Sequence, residues 1–299
     1  MLNYIHIKKQ HRTMYNKCRL RIPVVSGLFY PDNPAELKAI MDAALQSERD
    51  AIRCSCNADG FITGGVVPHA GMVYCARQAV HFFECYRRSG QCADTVVIVH
   101  PNHRGLGPNI SVDGHDSWQT PLGKIDVDKD FMDALDLPVS PEAQHQEHSA
   151  EVLVPYIQHF LPEGLRMVSV NMRQQDAQGA RELAHKIHDV AARLRREALL
   201  LASSDFSHFL SPEKAAPLDD MVLQKIAQRD THGVYNVVES YGISVCGYGP
   251  IMTLMEYNRL IDPGYYSQVL LRGHSGEVSP SDRVVNYISM LFKAFITKS

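Results

Sequence analysis

Thr95-Val96-Val97-Ile98-Val99-His100-Pro101-Asn102-His103 is the stretch that decides the fold. Its first part is a continuous apolar run rich in β-branched side chains, and Pro101-Asn102 ends it in a turn. An unbroken run of this kind predicts a strand covered on both faces. The same form recurs at Val66-Val67-Pro68-His69-Ala70-Gly71 and at Leu201-Ala202-Ser203-Ser204-Asp205-Phe206-Ser207-His208. Each is an apolar strand that runs into a turn carrying histidine.

Helical spacing fills the intervals. It predicts helices over 73–87, 147–160, 177–196, 212–229 and 249–260, with further strands at 166–170, 199–202, 268–271 and 284–292. Strand-helix-strand order favours parallel pairing. The expected fold is therefore α/β, a three-layer sandwich around a central, mostly parallel or mixed β-sheet. Phe82 and Tyr86, four apart on a predicted helix, share a face and are expected in the core. There is no internal repeat, so residues 22–299 are expected to form one domain. Residues 1–21 are expected to be a poorly ordered basic arm.

Composition narrows the function classes. The chain has 299 residues, 45% of them hydrophobic and 21% charged, which is a globular composition. No apolar run approaches the roughly 20 residues of a membrane span. The formal net charge is −3, yet the first 31 residues carry six basic side chains and no acid, so the remainder is distinctly acidic. An acidic body argues against nucleic-acid binding. The seven cysteines are odd in number, form no Cys-x-x-Cys pair and follow no secretory signal. They are expected to be reduced thiols of a cytoplasmic protein, with Cys54-Ser55-Cys56 incidental.

The histidine turns carry the chemistry. In open α/β sheets, ligands bind beyond the carboxyl ends of the strands, so turns after three strands can converge on one crevice. Glu147-His148-Ser149-Ala150-Glu151 and Ser244-Val245-Cys246-Gly247-Tyr248-Gly249-Pro250 are candidates to join them. Imidazole and thiolate are metal ligands. Any single histidine is more commonly a surface or core residue, and the recurrence of one context is what favours the set. His148 and Glu151 would share a face of the predicted helix. Trp118, the only tryptophan, is a candidate to line the crevice or to serve as a structural anchor.

These segments resemble the MEMO family, relatives of the class III extradiol dioxygenases, from about Val24 to Phe295. The resemblance begins at Ser26-Gly27-Leu28-Phe29-Tyr30-Pro31. It continues through Pro68-His69-Ala70-Gly71, Pro101-Asn102-His103, Glu147-His148-Ser149, Pro155-Tyr156, Ser203-Ser204-Asp205-Phe206 with His208, and Cys246-Gly247 with Pro250-Ile251. His274-Ser275-Gly276-Glu277 and Val284-Val285-Asn286-Tyr287 are similar to the family's ending.

The resemblance implies a class III extradiol dioxygenase-like fold and a metal held by His69, His103 and Cys246. It implies catalytic roles for His208, Asp205 and His148, with His208 as acid/base and Asp205 orienting an imidazole. Glu151, His100 and Trp118 are expected in the substrate pocket. Ring-cleaving relatives use two histidines and a carboxylate. Cys246 replaces that carboxylate here, which widens the metal from Fe(II) to copper or zinc. His100 and Leu153 also depart from the family pattern, where glycine and a polar residue are expected.

Three readings follow. The first is a non-haem iron-dependent oxidoreductase or dioxygenase acting on a small aromatic or catechol-like substrate. The second is a non-catalytic protein that holds iron or copper, or presents the pocket to a peptide. The third is a zinc-dependent hydrolase, weakened because no Gly-x-Ser-x-Gly elbow or His-Glu-x-x-His occurs. Family association adds radical-SAM and AMMECR-type proteins as expected pathway partners, and leaves homo-oligomerisation open.

Overall fold

The computed structural model describes residues 19–54 and 60–295. Its strands are β1 (Leu20–Arg21), β2 (Phe61–Val67), β3 (Thr95–Pro101), β4 (Ile110–Val112), β5 (Ser117–Thr120), β6 (Gly123–Asp126), β7 (Arg166–Met172), β8 (Ala198–Ser203), β9 (His208–Leu210), β10 (Tyr266–His274) and β11 (Val284–Ala294). Its α-helices are α1 (Pro34–Glu48), α2 (Met72–Ser89), α3 (Lys129–Ala134), α4 (Pro141–Gln144), α5 (Val154–Phe160), α6 (Ala177–Leu194), α7 (Pro212–Ala227), α8 (Thr231–Tyr241) and α9 (Tyr248–Ile261).

The main sheet runs β10-β11-β2-β8-β3-β7-β4, with β9 pairing β11 at one side. β2, β8, β3 and β7 are parallel to one another. β10, β11 and β4 are antiparallel to their neighbours, so the sheet is mixed. The layers follow from the pleat, because successive strand residues face opposite sides. On β2, a Cβ at Gly64 would meet Leu254 of α9, and one at Gly65 would meet the Phe82 ring of α2. α2 therefore covers one face and α9 the other. Val96 to Val99, Leu199 to Ala202, Phe82 and Tyr86 are all buried, as their patterns predict. No helix among the described residues is long and apolar enough to cross a membrane.

Four expectations are corrected. The helix expected over 147–160 begins later, as a 3-10 turn at Glu151–Leu153 followed by α5. Glu147 is the local cause, because its carboxylate accepts the backbone N–H groups of His148 and Ser149 and holds a non-helical turn. Pro155 stands in the first turn of α5, where its missing N–H costs no helical hydrogen bond, and so marks the later start. Consequently His148 and Glu151 do not share a helical face.

Second, Arg21 is not part of a loose arm. It is buried on β1, which pairs with β5 in a three-stranded sheet. Residues 1–18, where the rest of that arm falls, lie outside the described residues, as do Ser55 and Cys56. Third, Cys54 and Cys85 form a disulfide, with Cα atoms 5.2 Å apart. The expectation of thiols alone fails because the chain brings Cys54 against α2, a proximity that spacing in sequence does not reveal. Cys75, Cys92 and Cys246 are free thiols. Fourth, α1, α3, α4, α8 and the short strands β1, β4, β5, β6 and β9 are absent from the sequence reading.

Candidate metal centre

β2, β8 and β3 are neighbours in the sheet, so the turns beyond their carboxyl ends are neighbours too. His69 follows β2, His103 follows β3, and Ser203 and Asp205 lie at or beyond the end of β8. Cys246 arrives from another direction, just ahead of α9. Its backbone N–H bonds the Asp205 carbonyl at 3.3 Å, and its own carbonyl accepts from Gln175 Nε2 at 2.8 Å. The next residue has to be glycine, since a Cβ at Gly247 would stand 2.3 Å from the Ser203 carbonyl.

One nitrogen from each of His69 and His103 and the Cys246 sulfur lie within 4.8 Å of one another. Cys246 Sγ is 3.2 Å from His69 Nε2. Hydrogen bonds behind the rings decide which nitrogens point inward. The Ser203 hydroxyl donates to the Ser149 carbonyl at 2.7 Å. Its oxygen must therefore accept from His69 Nδ1, 2.7 Å away, which leaves a lone pair on Nε2. His103 Nδ1 likewise donates to Glu147 Oε1 at 2.9 Å. A carboxylate or hydroxyl behind the imidazole is the arrangement that orients a metal-binding histidine.

Electrostatics agree with a ligand set. Burial lowers the pKa of His69 well below the ordinary value, and the nearby His103 and His148 lower it further. Burial likewise pushes the Cys246 thiol well up, with the Asp205 carboxylate adding to it. The imidazole of His69 is thus neutral, as a ligand must be, and a bound cation would favour the thiolate. Two imidazoles with available lone pairs and one sulfur, each held from behind, fit a borderline or soft metal.

Comparison with known proteins places the chain, by its sequence, in a family. The profile described as Memo-like protein matches residues 21–291. The chain belongs to the Memo-like family. It is 34% identical over 285 residues to a MEMO1 family protein of Methanopyrus kandleri, covering 91% of this chain and 99% of that one. A MEMO1 family protein of Methanobrevibacter smithii is 35% identical over 285 residues, covering 92% and 100%. One from Archaeoglobus fulgidus is 33% identical over 277 residues, covering 92% and 100%. The crystal structure of an uncharacterized protein from Escherichia coli K12 is similar in fold alone. Its TM-score is 0.50 at 13% identity, covering 77% of this chain and 99% of that one.

In this Memo-like chain the other expected site residues divide into two groups. His148, Asp205 and His208 join the centre. The His148 ring lies 4.7 Å from those of His103 and Phe29 and 5.4 Å from His69, centroid to centroid. Asp205 is buried, accepts the His69 backbone N–H at 2.9 Å, and burial raises its pKa. Its own N–H donates to Cys246 Sγ at 3.2 Å. His208 Nδ1 donates to the Ser244 carbonyl at 2.7 Å, so its Nε2 is available as a base.

Glu151, Trp118 and His100 lie beneath the crevice, which corrects their expected place in a substrate pocket. Glu151 is buried and accepts from Arg21, the Val24 and Val25 backbone N–H groups, and the Tyr30 hydroxyl. Trp118 is a buried platform under the Arg21 guanidinium, 4.0 Å away, and its indole donates to Asp113. Neither can turn outward without breaking bonds made in the interior. Leu153 is buried as well, so the apolar departure fits its place. The serines also lose any nucleophilic role, for the Ser203, Ser204 and Ser207 hydroxyls are buried and donate to Ser149, Asp205 and Asp219.

His100 sits between Ser149 Oγ at Nδ1 and Ser169 Oγ at Nε2, where Gln144 Nε2 also donates. A second ring proton would face that amide, and burial, with smaller help from the nearby His103 and Arg21 charges, pushes its pKa down to about 4. An unfolded histidine titrates near 6.5, so between about pH 6.5 and 4 the unfolded chain binds a proton that the folded chain refuses. This contribution to stability is lost as pH falls through that window. Buried Asp205 has the opposite sign, losing stability as pH rises through its raised pKa. His100→Gln should therefore flatten the fall below pH 6.5 by about 1.4 kcal/mol per pH unit. Urea unfolding from pH 7 to 4.5 checks this, and an unchanged slope would contradict it.

Glu147 is the functional residue that sequence reasoning passed over. It was visible only as part of a motif. Its buried Oε1 accepts from His103 Nδ1, the His148 and Ser149 N–H groups and the Ser149 hydroxyl, and Oε2 accepts the His103 N–H at 2.7 Å. Burial opposes its charge, but the His103 hydrogen bond and the neighbouring imidazoles outweigh that and hold its pKa well below the carboxylate range. His103, Glu147 and His148 form a second group whose atoms could hold an ion. So many bonds to one carboxylate make it an orienting group.

Proposed function

We propose that this Memo-like protein holds one metal ion through His69, His103 and Cys246. We further propose that it acts as a non-haem iron-dependent oxidoreductase on a small aromatic, catechol-like substrate, in a class III extradiol dioxygenase-like fold. The observation that carries this reading is the convergence of two oriented imidazoles and one sulfur beyond three adjacent strand ends. Bound there, a redox metal would supply Lewis acidity and electron transfer. The chain's own residues would do the rest. His208, fixed through Nδ1 by Ser244, takes a proton from a substrate hydroxyl at Nε2. Asp205 holds the His69 backbone and thereby the ligand ring. His148, packed on Phe29, closes the wall of the crevice beside both ligand imidazoles.

A second reading is favoured by Cys246 itself. Thiolate is softer than carboxylate and is oxidisable, which suits retention or delivery of iron or copper without turnover. One experiment separates the two. Metal-free protein is reconstituted anaerobically with Fe(II), Cu(I) or Zn(II), its affinity for each is measured, and it is then exposed to oxygen with a catechol panel. The oxidoreductase reading expects oxygen uptake above metal-free protein with one metal. Tight binding lost in Cys246→Ser, with no uptake on any substrate, would replace it with the second reading.

A further inference from the structure

Immediately after His208 the backbone takes an unusual form. β9 pairs with the start of β11 such that Val285 opposes His208 and Val284 opposes Leu210. Phe209 is left without a partner residue and forms a β-bulge, a device that re-aims a neighbouring side chain. Its φ is +61°, in the left-handed region where glycine is usual and a bulky residue is strained. The strain brings no packing in the core, for Phe209 is 64% exposed. Its ring stands beside the His208 imidazole, with centroids 5.8 Å apart.

Arg283 completes the feature. Its guanidinium lies 5.9 Å from the Phe209 ring centroid, and its Nε donates to the Phe209 carbonyl at 3.3 Å. Among the described residues it makes no ion pair, and its two terminal amino groups have no hydrogen-bond partner. An aromatic face and an uncompensated planar cation therefore sit together on the bulge that carries the proton-accepting histidine. A guanidinium in this state matches a carboxylate in geometry and charge.

We propose that Phe209 and Arg283 are the specificity-determining ledge of the crevice, selecting substrates that carry a carboxylate on an apolar, aromatic body. Phe209 packs on the body, and Arg283 takes the anion. This deepens the function proposed above and rests on its placing of substrate beside His208. The ledge needs no metal, so it is tested separately from the metal centre.

Metal-free full-length protein is titrated with 3-phenylpropionate and with 3-phenylpropionamide, its neutral counterpart. The acid should bind about ten-fold more tightly, the equivalent of one charge-assisted hydrogen bond. Arg283→Gln should abolish that preference, and Arg283→Lys should restore part of it. Phe209→Gly relieves the backbone, so its melting temperature should equal or exceed that of the wild type, while its binding of both ligands weakens. Equal binding of acid and amide by the wild type would overturn the proposal. So would a preference that survives Arg283→Gln, or wild-type binding by Phe209→Gly. Failure of metal binding counts against the metal centre alone, because these titrations contain none.

Discussion

Glu151→Ala should destabilise the protein by about 3–5 kcal/mol, the usual cost of leaving one partner of a buried ion pair alone. Glu151 and Arg21 are both buried, with Oε2 and Nη1 2.5 Å apart. The same carboxylate bonds the Val24 and Val25 N–H groups and the Tyr30 hydroxyl, so its loss orphans several donors. Arg21 would remain over Trp118 with its charge uncompensated, although its Nη2 still reaches the Glu147 carbonyl at 2.8 Å. Replacing both partners, as Arg21→Met with Glu151→Met, should cost less than Glu151→Ala alone. Denaturant unfolding of the two variants gives the comparison. A loss below about 1 kcal/mol, the level of an exposed pair, would mean that this cluster does not anchor the N-terminal strand.

The second large effect concerns the metal. Glu147→Gln should weaken metal binding about 10–100-fold, the range for removing a carboxylate that orients a ligand histidine. The amide keeps the shape of the side chain but cannot accept at both ends, so His103 loses either its ring partner or its backbone partner. Competition with a chelator of known affinity measures the change on folded protein. Wild-type affinity in the variant would show that Glu147 holds only the turn and not the ligand.

Much of this architecture was legible in the chain because it rests on strong local patterns. The runs Val96 to Val99 and Leu199 to Leu201 are buried on both faces, and sequence shows that as unbroken apolar character. The convergence of His69, His103 and Cys246 was legible as a family resemblance, since their approach depends on strand order that no local pattern encodes. What stayed hidden depends on partners distant in sequence. Glu151 reads as a pocket residue on a helix until Arg21, 130 positions away, is seen bonded to it in the interior. Cys54 and Cys85 are 31 residues apart and follow no framework spacing. Phe209 looks like an ordinary strand residue, and only the offset pairing of Val284 and Val285 exposes the bulge.

The central claim, one ion held by two imidazoles and one sulfur, is tested most directly by X-ray absorption on zinc-loaded protein. The spectrum should contain one sulfur scatterer at about 2.3 Å and imidazole nitrogens at about 2.0–2.1 Å, with the sulfur absent in Cys246→Ser. A shell of nitrogen and oxygen alone, or a sulfur signal that persists in that variant, would contradict it.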